Sequence, residues 1–141
     1  MARNELFFPT SPEAVWDVLC DPNSYAHWVA GSKQIRDVEG DWPEPGSRFH
    51  HRVGFGPITV SDHTESEHAT PGRRLELKAK ARPFGTAKVV LELIPHDGGT
   101  RVVMTEDPGD PITALVFGPL THLLVRGRNH ESLQRLRELA V

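Results

Sequence analysis

The sequence predicts an α+β domain, with a curved antiparallel sheet covered by one long C-terminal helix. Three observations predict it. Apolar and polar residues alternate from Ser47 to Asp107 with no helical stretch between them. Short turn-rich joints break that block into strands. A final segment ending in RNHESLQRLRELA reads as the helix that covers the apolar face.

The elements follow in order. Residues 3–9 read as a first strand with Leu6 and Phe8 on one face. Thr10 or Ser11 can cap a helix, Pro12 suits its first position and Glu13 complements its dipole. Ala14, Val15, Val18 and Leu19 make its apolar stripe, and Trp16 with Cys20 lies beside it. Asp21-Pro22 ends that helix, and a short second one runs through Tyr25, His27 and Trp28.

Strands are then expected at 33–40, 47–54, 57–68, 73–82, 86–95 and 100–107. Phe49 and Val53 alternate with His50 and Arg52. Leu75, Leu77, Ala79 and Ala81 alternate with Glu76, Lys78, Lys80 and Arg82. A period of two puts each set on one face. Turn residues such as Gly56-Pro57, Thr70-Pro71-Gly72 and Asp97-Gly98-Gly99 make joints short enough for antiparallel neighbours.

The last segment carries two stripes. Ile112, Leu115, Val116, Leu120, Leu123 and Leu124 form one; Leu133, Leu136 and Ala140 form the other. They are nearly opposite on a straight helix, so a break is expected near Gly118-Pro119 or Gly127. The stretch Ile112–Val125 reads as packing over the sheet, with a homodimer contact as the second reading.

Totals bound the function. The 141 residues suit a single domain spanning 1–141 and able to hold a core without staples. A net charge of −3 gives no basic excess, so no nucleic-acid partner is expected. No run approaches the ~18 apolar residues of a membrane span, and the start lacks a leader's apolar stretch. One cysteine leaves no internal disulfide and fits a reducing, cytoplasmic setting. The eight histidines include no His-x-His or His-x-x-x-His pair, and no metal site is expected.

Polar residues interrupt the apolar face at three places. If Phe49 and Val53 point inward, so does His51; if Val60 does, so does Asp62; if Met104 does, so does Glu106. Buried ionisable groups are costly unless paired, which makes such positions candidates for acid/base work. The same positions also fit a satisfied core histidine and strand-end carboxylates near water.

Several segments resemble a known family. SPEAVWDVLCDPNSYAHWV, EPGSRFHHRV, TPGRRLELKAKA, ELIPHDGGTRVVMTED and the closing RNHESLQRLRELA are similar to motifs of the polyketide cyclase/dehydrase-like branch of the SRPBCC (START/Bet v 1-like) superfamily. The resemblance implies a helix-grip fold. In it, a curved seven-stranded antiparallel sheet wraps around a long C-terminal helix, with two short helices after the first strand. It also implies a cavity for a hydrophobic small molecule, polyketide-like or lipid-like. Two activities go with that: a cyclase or dehydratase of the lyase or isomerase type, or a non-catalytic carrier or co-chaperone-like interaction domain.

In the catalytic case His51 is the expected general base, with Glu106 or Asp62 orienting it or acting as acid. No cofactor is needed for that chemistry. Trp16, Trp28, Phe49, Val60, Leu77, Leu91, Met104 and Leu120 are the expected ligand-binding residues.

Overall fold

The computed structural model describes residues 2–30, 32–55, 57–81, 85–108 and 119–141, without the side chains of Lys33, Val53, Phe55, Ile58 and 119–123. The chain runs β1 (Ala2–Phe8), α1 (Pro12–Leu19), a 3-10 turn (Pro22–Ser24), α2 (Tyr25–Trp28), β2 (Ser32–Glu39) and β3 (Arg48–Phe55). It continues through β4 (Ile58–Thr70), β5 (Arg74–Ala81), β6 (Gly85–His96) and β7 (Gly99–Pro108) to α3 (Pro119–Ala140).

The seven strands form one antiparallel sheet in the order β1-β7-β6-β5-β4-β3-β2. From β2 to β7 it is a meander, as the short joints require. β1 and β2 are the two edges, so α1 and α2 carry the chain from one edge to the other. The Asp97-Gly98 joint has positive φ at both residues, 46° and 78°, which is the turn that matches strand twist in a tight hairpin.

Local chemistry sets the helix ends. Ser11 caps α1 by accepting from the Ala14 N–H at 3.2 Å, and Pro12 follows it. At the other end the Leu19 carbonyl accepts from both the Tyr25 hydroxyl (2.8 Å) and the Trp42 indole N–H (2.9 Å). That carbonyl has no helical partner of its own, so two aromatic donors replace one. Tyr25 is packed against Trp28 and Phe49, each with ring centroids 4.9 Å away.

The core lies between the sheet and the helices: Phe8, Val15, Leu19, Leu75, Leu91, Val102, Leu133 and Leu136 are fully covered. α3 runs unbroken from Pro119 to Ala140. The helix shows no break at Gly127, which sits on its exposed side, and Gly118 of the other expected position lies outside the described residues. Leu133 and Leu136 are buried as expected, whereas Leu124 is 68% exposed and belongs to no covered stripe. Ile112, Leu115 and Val116 lie outside the described residues.

α3 packs on β1, α1 and α2, and touches β7. It makes no comparable contact with the described parts of β3, β4 and β5. The space left there positions the site.

Candidate functional site

A cavity of about 180 Å³ lies between α3 and the concave face of the sheet. Phe49 and His51 reach it from β3, Thr64 from β4, Leu77 and Ala79 from β5, Ala87 and Val89 from β6, and Met104 and Glu106 from β7. Tyr25 and Trp28 close it from α2, and Arg128, Asn129 and Ser132 from α3. Its walls are mainly apolar, which leaves the polar groups as the informative ones.

His51 owes its place to the alternation of β3. It stands directly opposite Asp62 on β4, and Thr64 follows on the same face, opposite Phe49. All three are buried. His51 Nε2 and the Thr64 hydroxyl form a hydrogen bond of 3.1 Å, while His51 Nδ1 is buried with no partner. Burial holds the imidazole below its ordinary pKa of 6.5. The His63 backbone and the Asp62 carboxylate favour the charged form, but burial outweighs them.

Asp62 does not line the cavity. Its Oδ1 accepts from the His63 backbone N–H at 2.9 Å, and His63 Nδ1 stands 3.5 Å from the same oxygen. Glu106 does line the cavity, but its partner is Arg128, whose Nη2 lies 3.3 and 3.0 Å from the two carboxylate oxygens. The sequence grouped His51 with Glu106 or Asp62. The curved sheet brings His51 and Glu106 to one space, four strands apart in sheet order, and pairs each with another residue.

The expected ligand-binding set divides in the same way. Trp28, Phe49, Leu77 and Met104 line the cavity. Trp16, Val60 and Leu91 do not: Trp16 packs half-buried against the core, Val60 is half-buried and Leu91 is fully buried in the core. Leu120 is on α3, but its side chain lies outside the described residues.

Among the site residues that were not anticipated, three lie on α3. Asn129 is 2% exposed, and its Nδ2 has no partner. Ser132 accepts from the Ala30 N–H at 2.9 Å and donates to the Arg128 carbonyl at 3.1 Å, fixing α3 to the end of α2. Arg128 supplies the guanidinium. The signal was present in the spacing: Val125, Asn129, Ser132, Leu133 and Leu136 fall on one helical face, and its polar members point at the cavity side.

Among the described residues, five buried side-chain polar atoms have no partner: Asn4 Oδ1, Trp28 Nε1, His51 Nδ1, Arg101 Nε and Asn129 Nδ2. Trp28, His51 and Asn129 all line the cavity. Unpaired buried polar atoms are uncommon and each costs stability, and three of the five belong to residues around this one space. No group of three or more His, Cys, Asp or Glu placed to hold a metal occurs among the described residues. Cys20 is no candidate nucleophile, since burial and then Asp17 push its thiol pKa up.

Comparison with known proteins extends the geometry. No curated protein matches the chain. Among solved structures it is similar to the Zhui aromatase/cyclase from Streptomyces sp. R1128, with TM-score 0.77 and 15% identity over 99% of this chain and 92% of that one. It is similar to Ara h 8.0201, with TM-score 0.76 and 12% identity over 98% and 95% of the two chains. The di-domain aromatase/cyclase StfQ of the steffimycin biosynthetic pathway matches with TM-score 0.74 and 10% identity, over 98% of this chain and 49% of its own. At these identities the likeness concerns the fold, which is the helix grip. The family model for polyketide cyclase/dehydrase and lipid transport proteins matches residues 3–141. A chain matched over that span, folded as a seven-stranded sheet gripping its last helix, belongs to the polyketide cyclase/dehydrase and lipid transport family of the SRPBCC (START/Bet v 1-like) superfamily.

Proposed function

We propose that the protein binds a hydrophobic small molecule, polyketide-like or lipid-like, in the cavity between α3 and the sheet. One observation carries this reading: an apolar space of about 180 Å³ is bordered by three residues with unpaired buried polar atoms. An apolar space of that size costs stability when empty, and a hydrophobic ligand fills it. No helix among the described residues is long and apolar enough to cross a membrane, and the reading assigns the protein to the cytoplasm.

Native mass spectrometry of the purified protein tests it. A co-purifying mass adduct below about 1 kDa, lost on denaturation, supports the reading. Bare chain only, together with no thermal shift from any ring-bearing probe, overturns it.

A second reading adds catalysis. It is favoured by His51, which lines the cavity and which burial holds neutral. Such an imidazole can take a proton from a carbon next to a ligand carbonyl, and the enolate then attacks a second carbonyl in ring closure. The alkoxide formed takes that proton back from His51; in dehydration the neutral imidazole then removes a second α-proton and passes it to the departing hydroxyl, which leaves as water. His51→Leu separates the two: an enzyme keeps ligand affinity but loses turnover by at least about a hundredfold, while a carrier shows no turnover to lose.

A further inference from the structure

We propose that Ala79 and Ala87 are the specificity-determining residues of the cavity. They hold open the space a ligand fills, and a larger side chain at either position closes that space while stabilising the fold. This rests on the small-molecule reading above and names the side chains that gauge the ligand.

The inner face of β5 and β6 changes size rung by rung. Leu75 stands opposite Leu91, Leu77 opposite Val89, and Ala79 opposite Ala87. The first pair is sealed in the core and does not line the cavity. The second pair is buried at the cavity wall. The third also lines the cavity but is only half-buried, so surface at this rung stays accessible. The same rung continues through Thr64, opposite Ala79 on β4, to Phe49, opposite Thr64 on β3, and both line the cavity. The apolar layer on the sheet therefore thins at Ala79 and Ala87, where the core gives way to open space.

Strand chemistry does not ask for alanine there. β5 is the central strand of the seven and β6 adjoins it. Inward positions on such strands favour β-branched and other large apolar residues, and alanine is depleted. Nothing packed from the opposite side needs the room either. α3 rests on β1, α1 and α2 and makes no comparable contact with β5 or β6 among the described residues. Short side chains with no helix filling in for them leave a void, and a void costs stability in proportion to its volume. Leucine at either position would extend the packed layer by one rung.

The room at stake is a large share of the site. An apolar cavity of about 150 Å³ takes a benzene ring. This one, at about 180 Å³, has little to spare once a ring is inside. Each alanine-to-leucine change adds three carbons to its wall. Leu77→Ala removes three from the neighbouring rung and lengthens the space toward the core.

Two apolar probes, toluene and naphthalene, titrated into the intact protein while amide NMR spectra are recorded, test this together with thermal unfolding without ligand. Wild type is expected to bind both. Ala79→Leu and Ala87→Leu should each melt about 3 °C or more above wild type. Each should lose naphthalene affinity by at least about tenfold, and toluene affinity by less. Leu77→Ala should melt lower and shift the preference toward naphthalene. Lower melting of both leucine variants would show that the alanines are already close-packed and would overturn the inference. Naphthalene affinity unchanged in both would overturn it too, and the small-molecule reading survives either result. Wild type that binds neither probe overturns that reading along with the inference. Ala79→Val and Ala87→Val, with less added bulk, carry the same two readouts where a leucine variant does not fold.

Discussion

One guanidinium nitrogen of Arg128 lies 3.0 and 3.3 Å from the two carboxylate oxygens of Glu106, so α3 is tied to β7 at the wall of the cavity. The Glu106 side chain is 9% exposed and that of Arg128 44%. That places the pair between a surface ion pair and a buried one. Arg128→Leu should cost about 1–2 kcal/mol in urea denaturation, since it leaves Glu106 alone in a partly closed space. Glu106→Gln should cost less, and the double variant should recover about 1 kcal/mol of coupling. A coupling of zero would show that the two side chains do not hold each other in solution.

His51 makes stability depend on pH with a definite sign. Its folded pKa lies below the ordinary 6.5, so the unfolded chain takes up the proton first as pH falls. Protons therefore favour unfolding, and the stability present above pH 6.5 is lost below it. His63 shifts in the same direction, by burial first and then by Lys80. Denaturation at pH 7.5 and 5.5 should show wild type weaker at the lower pH. His51→Leu should flatten part of that loss and His63→Gln another part. Unchanged slopes in both variants would assign the pH dependence elsewhere.

Gly127 offers a stabilising change. It lies inside α3, exposed, and a methyl group there would meet nothing within 4 Å. Gly127→Ala should raise stability by about 0.5–1 kcal/mol through helix propensity. A loss instead would mean that the helix needs flexibility at this point.

Gly99 is the opposite case. A Cβ at this position would run into the Phe8 carbonyl oxygen and the Phe7 ring, where β7 crosses the end of β1. Backbone cannot give way as a flexible side chain can, so Gly99→Ala should destabilise by about 2 kcal/mol or more. A melting temperature within a degree of wild type would refute the close approach.

Local rules carried most of the fold. Ser11-Pro12 marked the start of α1, Asp97-Gly98 marked the last hairpin, and strict alternation put His51, Asp62 and Glu106 on the buried face. Alternation says which face a residue takes, but not how far along a strand the cavity extends. Leu91 points inward and is sealed in the core, on a strand that packs against α1, so it never reaches the open space. Partners were harder to read. Glu106 meets Arg128 only because the sheet curves toward α3, and that curvature has no local signature. Asn129 and Ser132 share the buried face of α3 with Leu133 and Leu136 and are its members that line the cavity.

The helical line Val125, Asn129, Leu133 has a consequence for how such a protein changes its ligand. Successive members are one turn apart and all buried, but only Asn129 is polar. Sliding α3 by a single turn, through four residues gained or lost before it, would put valine or leucine where the amide stands. The sheet would keep its shape, and the cavity wall would lose its amide side chain. The polarity of the cavity wall is thus set by helix register as well as by side-chain identity, and on the proposed small-molecule reading a length change in the preceding segment would alter ligand preference without any substitution inside the cavity.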